Sequence, residues 1–271
     1  MIIDFHTHVF PDKIAKKTVD YLAVKGGGNP HSDGRIESLL SKLNSSLVDV
    51  CVNLPVLTRP DQFESVLNFA IEINKNHSIG RKKIISFAGI HPACDDIKGK
   101  LTLVKNAGIK GVKIHPDYQD TYIDDDGYLE ILKCAKELDL IVVTHAGIDC
   151  AYRNQPAKCP PLLVKQVINK VKGVKFVLAH LGGCEMVGDV IKYLVKEDVY
   201  FDTAYVLKYL TKKDFMNVLE NHGEDKILFA SDFPWSDFDD DVKIIKSYGL
   251  SSQAEDKIFY KNAKRLLCLN D

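Results

Sequence analysis

Eight short apolar runs, rich in Val, Ile and Phe, recur along the chain at residues 2–5, 48–54, 84–90, 111–115, 141–145, 175–180, 199–203 and 227–231. No other feature constrains the fold as strongly. Runs that are apolar on both faces suit parallel strands covered by helices. The segments between them carry helical periodicity: Leu129, Ile131, Leu132, Ala135 and Leu138 share one face, as do Val187, Val190, Ile191 and Leu194. Eight strands alternating with helices, without a break in composition, predict an α/β fold, a (β/α)8 TIM barrel formed as a single domain over residues 1–271. The length fits a barrel of about 250 residues. A doubly wound sheet would carry a glycine-rich phosphate turn after its first strand, and none is present.

Composition narrows the function. The formal net charge of -1 offers no field for nucleic acid or an anionic membrane. No stretch of about 18 apolar residues exists, and the N-terminus runs straight into a strand without a signal-peptide pattern, so a cytoplasmic protein is expected. The seven cysteines form no Cys-x-x-Cys pair, which argues against a zinc ribbon. Cys150, Cys159 and Cys184 follow strand ends and could border a site, although small apolar filler is the simpler reading. Two segments interrupt the regular spacing. The glycine-rich stretch 26–34 reads as a lid or as a flexible surface loop. The stretch 147–161 carries Asp149, Arg153 and Lys158 above the expected mouth. The apolar C-terminal helix could support a homodimer.

The chemistry lies in where the histidines fall. Six of nine, His6, His8, His91, His115, His145 and His180, sit at or just beyond strand C-terminal ends. In a barrel those ends converge on the active-site face. Residues two apart on a strand share a face, so His6 and His8 both point inward and offer two imidazoles to one metal. The last strand ends in Asp232, a carboxylate whose burial would be costly without a partner. Alone it would read as a turn or helix-cap residue. Together with four inward histidines it predicts a metal site.

The motifs Ile3-Asp4-Phe5-His6-Thr7-His8, Gly111-Val112-Lys113-Ile114-His115-Pro116, Thr144-His145-Ala146-Gly147, Ala179-His180-Leu181-Gly182-Gly183 and Ser231-Asp232-Phe233-Pro234-Trp235 span the chain, and the tail resembles an Asn-Ala-x-Arg-Leu helix at Asn262 to Leu266. As a set they resemble the amidohydrolase superfamily, most closely its amidohydrolase 2 group, which includes relatives of aminocarboxymuconate-semialdehyde decarboxylase. The resemblance implies that His6, His8 and Asp232 bind a first divalent metal, most readily zinc. In single-metal members His145 would complete the shell, leaving His180 to polarise or protonate the substrate. In two-metal members a carbamylated lysine bridges the ions while His145 and His180 hold the second, and Lys113 lies where that lysine would be.

Lys113 has three readings: a neutral amine that takes up carbon dioxide, a cation that binds a substrate carboxylate, or an outward surface residue. His115 shares its face and is a candidate substrate contact, as are Arg153 and Trp235; a hydrogen-bonded structural role for His115 fits equally. The expected reaction is hydrolysis of an amide, lactone or similar carbonyl of a small molecule, with Asp232 as general base turned acid. The second reading is non-oxidative decarboxylation of a small unsaturated or aromatic acid, with Lys113 or Arg153 gripping a carboxylate. The segment Val9-Phe10-Pro11-Asp12 lacks the arginine that dihydroorotases carry there, which argues against dihydroorotate as substrate.

Overall fold

A computed structural model describes residues 1–79 and 82–269. The strands are β1 (Ile3–Thr7), β2 (Val50–Asn53), β3 (Ser78–Ile79), β4 (Lys82–Ser86), β5 (Ala88–Gly89), β6 (Gly111–Ile114), β7 (Ile141–Thr144), β8 (Lys175–Leu178), β9 (Tyr200–Asp202) and β10 (Ile227–Leu228). β1, β2 and β4 pair in parallel, and so do β5 through β10. The third expected run is split at Phe87 into β4 and β5. Phe87 N still donates to Asn53 O (2.9 Å), so the two pieces make one stave. The last stave closes on the first through Phe5 N to Phe229 O (2.9 Å) and Asp232 N to His6 O (2.8 Å). Eight staves thus close a (β/α)8 barrel, with the antiparallel β3 as an unforeseen edge piece on β4.

Alternation divides the apolar residues into two cores. Val50, Val52, Ile141, Val143, Val177 and Leu228 fill the barrel interior. Their neighbours Cys51, Val142, Phe176, Leu178 and Ile227 face the helices. The same alternation sends Val112 and Ile114 outward, so Lys113 points in; it is 1% exposed, which excludes a surface lysine. β1 breaks the rule. Ile3 and Phe5 lie in the interior, yet His6 also faces the mouth, because the β1–β2 register shifts between Asp4 and Thr7. A bulge of that kind reverses the phase of the strand beyond it.

At the opposite end of the barrel, the helix Asn262–Leu267 inserts Ala263, Leu266 and Leu267 into the interior core. Its apolar residues plug the barrel. At the mouth, α1 (Ala15–Gly26) stops where Gly27 adopts a left-handed φ of 71°. The glycine-rich stretch that follows is tied down by His31 N to Pro234 O (2.8 Å) and Phe10 N to Gly34 O (2.8 Å), and so forms part of the rim. Among the described residues, no helix is long and apolar enough to cross a membrane.

Candidate metal centre and substrate cavity

A cavity of about 370 Å³ opens at the C-terminal ends of the strands. Its walls are largely apolar, with Phe10, Tyr21, Tyr118, Tyr205 and Trp235 contributing rings. Its floor carries His6, His8, Lys113, His145, His180 and Asp232. All six residues expected to bind metal therefore meet in one place, and His115 and Trp235 border the same space. Backbone turns aim them. His180 (φ 59°), Leu181 (φ 54°) and Asp232 (φ 70°) adopt left-handed conformations at the strand ends. Each costs on the order of 1–3 kcal/mol and must be held by its surroundings.

The hydrogen bonds around the first histidines place their protons. His6 Nδ1 donates to Asp202 Oδ2 (2.9 Å), and His8 Nδ1 donates to the Leu54 carbonyl (3.0 Å). Burial and the Lys113 ammonium hold the His6 pKa well below the usual imidazole value, so His6 is neutral. Its Nε2 then bears a lone pair, and it lies 3.2 Å from His8 Nε2. Asp232 Oδ1 is 3.0 Å from His8 Nε2 and 3.4 Å from His6 Nε2. Burial raises the Asp232 pKa, but His6, His8 and His180 outweigh it, and the net shift is downward. Two imidazole nitrogens and a carboxylate oxygen thus converge within 4.8 Å of one another. A tetrahedral cation with bonds of about 2.1 Å keeps its ligands about 3.4 Å apart, so this donor set fits a divalent metal.

A second group, His115, His145 and Asp149, also gathers three ligand atoms within 4.8 Å. Its rings differ in disposition. His115 and His145 stack at 4.3 Å with planes 12° apart, and Tyr118 stacks on His115 at 4.0 Å. Imidazole lone pairs lie in the ring plane, so parallel rings cannot both aim at one ion. Tyr118 N donates to His115 Nδ1 (3.4 Å), leaving the His115 proton on Nε2, 3.5 Å from Asp149 Oδ2. This group is arranged for hydrogen bonding. Burial lifts the Asp149 pKa to about 6.

Between the two groups, His180 Nδ1 donates to the Ala204 carbonyl (2.9 Å), and His180 Nε2 lies 2.9 Å from His145 Nδ1. His145 Nε2 and Asp117 Oδ2 are both buried without a partner and lie 3.9 Å apart. A proton on His145 Nδ1 makes a hydrogen bond to His180; a proton on Nε2 turns toward Asp117 and leaves His145 and His180 with two facing lone pairs. Lys113 Nζ is 3.3 Å from His6 Nε2. Burial lowers its pKa to about 8, against the pull of Asp202 and Asp232.

Sequence reasoning passed over several residues here. Asp202 is fully buried and also accepts from His180 N (2.9 Å) and Ala204 N (3.1 Å). The signal was present: an acid inside an apolar run is as costly as Asp232 at the end of one. Asp4 stitches β1 to the last stave, accepting from Ser231 N (3.0 Å), Ser231 Oγ (2.5 Å) and His6 N (3.1 Å). Asp149 reaches the cavity because Gly147 (φ 86°) packs its bare Cα on Cys184, where a Cβ would meet Cys184 N at 2.2 Å. Arg153, by contrast, is exposed, pairs with Glu185 and does not line the cavity. Lys158 pairs with Asp120. His91 accepts from Ala93 N (3.1 Å) in its own turn, away from the cavity. Cys150 and Cys184 border the cavity, whereas Cys159 is buried beside Thr144 (3.8 Å).

Solved structures share the whole fold. The Rhizobium 2,6-dihydroxybenzoate decarboxylase superposes with a TM-score of 0.72 at 15% identity, covering 100% of this chain and 99% of its own. A manganese-bound 5-carboxyvanillate decarboxylase from Novosphingobium aromaticivorans gives 0.71 at 12%, covering 99% and 97%. A Pseudomonas putida protein provisionally named a 2-pyrone-4,6-dicarboxylic acid hydrolase gives 0.67 at 13%, covering 98% and 97%. No curated protein sequence matches the chain. The model of the amidohydrolase family matches residues 97–269, more than half of the molecule, and the chain belongs to that family.

Proposed function

We propose that the protein is a metal-dependent hydrolase that cleaves an amide, lactone or similar carbonyl of a small molecule. The observation that carries this reading is the convergence of His6 Nε2, His8 Nε2 and Asp232 Oδ1, three atoms that call for a cation. Zinc suits two imidazoles and a carboxylate. His6, His8 and Asp232 would hold a divalent cation, which would supply Lewis-acid polarisation of a carbonyl and acidification of water near neutral pH. Asp232 stays ionised at neutral pH and is placed to accept a proton and return it to the leaving group. Asp202 holds the His6 ring with its lone pair turned to the cluster. His180, with its Nδ1 proton on the Ala204 carbonyl, presents the Nε2 lone pair to the same space and is placed to accept a hydrogen bond or a proton from the ligand. The apolar walls exclude water from a ligand of modest size.

A second reading, decarboxylation of a small unsaturated or aromatic acid, is favoured by one observation. Lys113 is a buried lysine 3.3 Å from the cluster, able to hold a carboxylate there as a cation or to take up carbon dioxide as an amine. The two readings separate by product. Zinc- or manganese-loaded protein is incubated with lactones, cyclic amides and hydroxybenzoates, and carbon dioxide and ring-opened acid are measured. Ring-opened acid without carbon dioxide is expected. Carbon dioxide release alone would replace the first reading with the second. In either case Asp232→Asn should lower turnover by about a thousandfold while the fold is kept; unchanged turnover would remove Asp232 from the chemistry.

A further inference from the structure

Among the described residues lining the cavity, Lys113 on the floor is the only lysine or arginine. One other cation stands at the rim. Lys25 lies in the last turn of α1, beside Gly26, which borders the cavity. Its Nζ donates to Tyr152 Oη (2.7 Å) and lies 3.9 Å from the Tyr152 ring centroid and 5.6 Å from that of Tyr118, a cavity wall. Two aromatic faces support an ammonium without neutralising it. No carboxylate lies within 4.0 Å of Lys25 among the described residues, whereas Arg153 and Lys158 nearby are both committed to ion pairs. Of its three N–H donors one is used, and two remain for a ligand. Tyr118 continues the stack through His115 to His145, so Lys25 stands at the outer end of a column of rings that begins at the floor.

We propose that Lys25 is an anion-binding residue that takes a carboxylate borne by the substrate at the end remote from the metal cluster, so that the enzyme prefers small dicarboxylic acids or their derivatives. This rests on the metal-dependent reading above for the inner end of the ligand. The lysine, tethered by Tyr152 and flanked by rings, loses little freedom on binding. Its charge reaches into the cavity, where it opposes the burial that raises Asp149.

Trp235 is the only tryptophan in the chain and borders the cavity, so its fluorescence reports occupancy. The linear dicarboxylates succinate, glutarate and adipate are titrated into zinc-loaded protein, with butyrate as the one-carboxylate control. The best dicarboxylate should bind about tenfold more tightly than butyrate, as one charge-assisted hydrogen bond provides. In Lys25→Met that advantage should fall below twofold, with zinc content and unfolding temperature retained. Lys25→Arg should keep most of it. An advantage that survives in Lys25→Met, or the lack of any advantage in the parent protein, would overturn the proposal. None of these probes is hydrolysed, so the result does not depend on turnover. If butyrate binding proves indifferent to removal of zinc, the metal reading fails separately, and the comparison between Lys25 variants still decides the role of this residue.

Discussion

The two three-residue groups on the floor contain similar donors and differ in almost everything that decides whether an ion can be held. His6, His8 and Asp232 are set by outer partners, Asp202 and the Leu54 carbonyl, that turn the lone pairs toward one another, and the His6 and His8 rings cross at 73°. His115 and His145 lie flat on each other with Asp149 beside them. Both groups gather their ligand atoms within 4.8 Å. The direction of the lone pairs differs, and it suits one group to a metal and the other to a hydrogen-bonding wall that faces the ligand.

The largest test removes ligands. His8→Ala should weaken zinc binding at least about a thousandfold in a chelator competition, because it takes away one of three protein ligands. His115→Ala should change it less than threefold. Equal losses would erase the distinction. The outer partner comes next. Asp202→Asn should weaken zinc binding by about 10- to 100-fold without touching the ion, since it frees the His6 ring; an unchanged affinity would mean that His6 is held by packing alone.

The smallest effect is a difference of sign in the metal-free protein. The Asp149 pKa is raised to about 6, above its unfolded value. Its ionisation therefore costs stability as pH rises from about 4 to about 6, and Asp149→Asn should become stabilising over that window, reaching at most about 3 kcal/mol. The Asp232 pKa is lowered. Its carboxylate contributes stability above the unfolded pKa, which is lost as pH falls through the folded pKa, so Asp232→Asn should destabilise at neutral pH and progressively less in acid. Urea unfolding across pH measures both. Two curves with the same slope would contradict the electrostatic contrast between the groups.

How far these groups can be read from sequence follows from the range of the signals. Strands announce themselves by apolar runs, and a histidine at the end of such a run is visible within a few residues. That made His6, His8, His145, His180 and Asp232 legible, and with them the barrel. Residues that act from a distance left weaker marks. Asp202 could have been found by asking what pays for an acid in an apolar strand, but its partner is 196 positions away. The phase of Lys113 needed its neighbours' burial, and the shift within β1 needed the register with β2. Arg153 and Lys25 show the limit most plainly. Both are basic residues near loops, and only the folded ion pairs and ring faces show that Arg153 is engaged elsewhere and Lys25 is not.

The seam between the first and last staves has a consequence for how the protein is made. Asp4 and Ser231 meet across it from positions 227 apart, and the ligands beside them, His6 and Asp232, come from the same two staves. The first histidines are translated well before the carboxylate that joins their cluster. Until Asp232 has been made, the cluster has its two imidazoles and lacks its carboxylate. A metal held by all three residues would therefore be captured late in the life of each molecule, and its presence would report that the circle of strands has been closed.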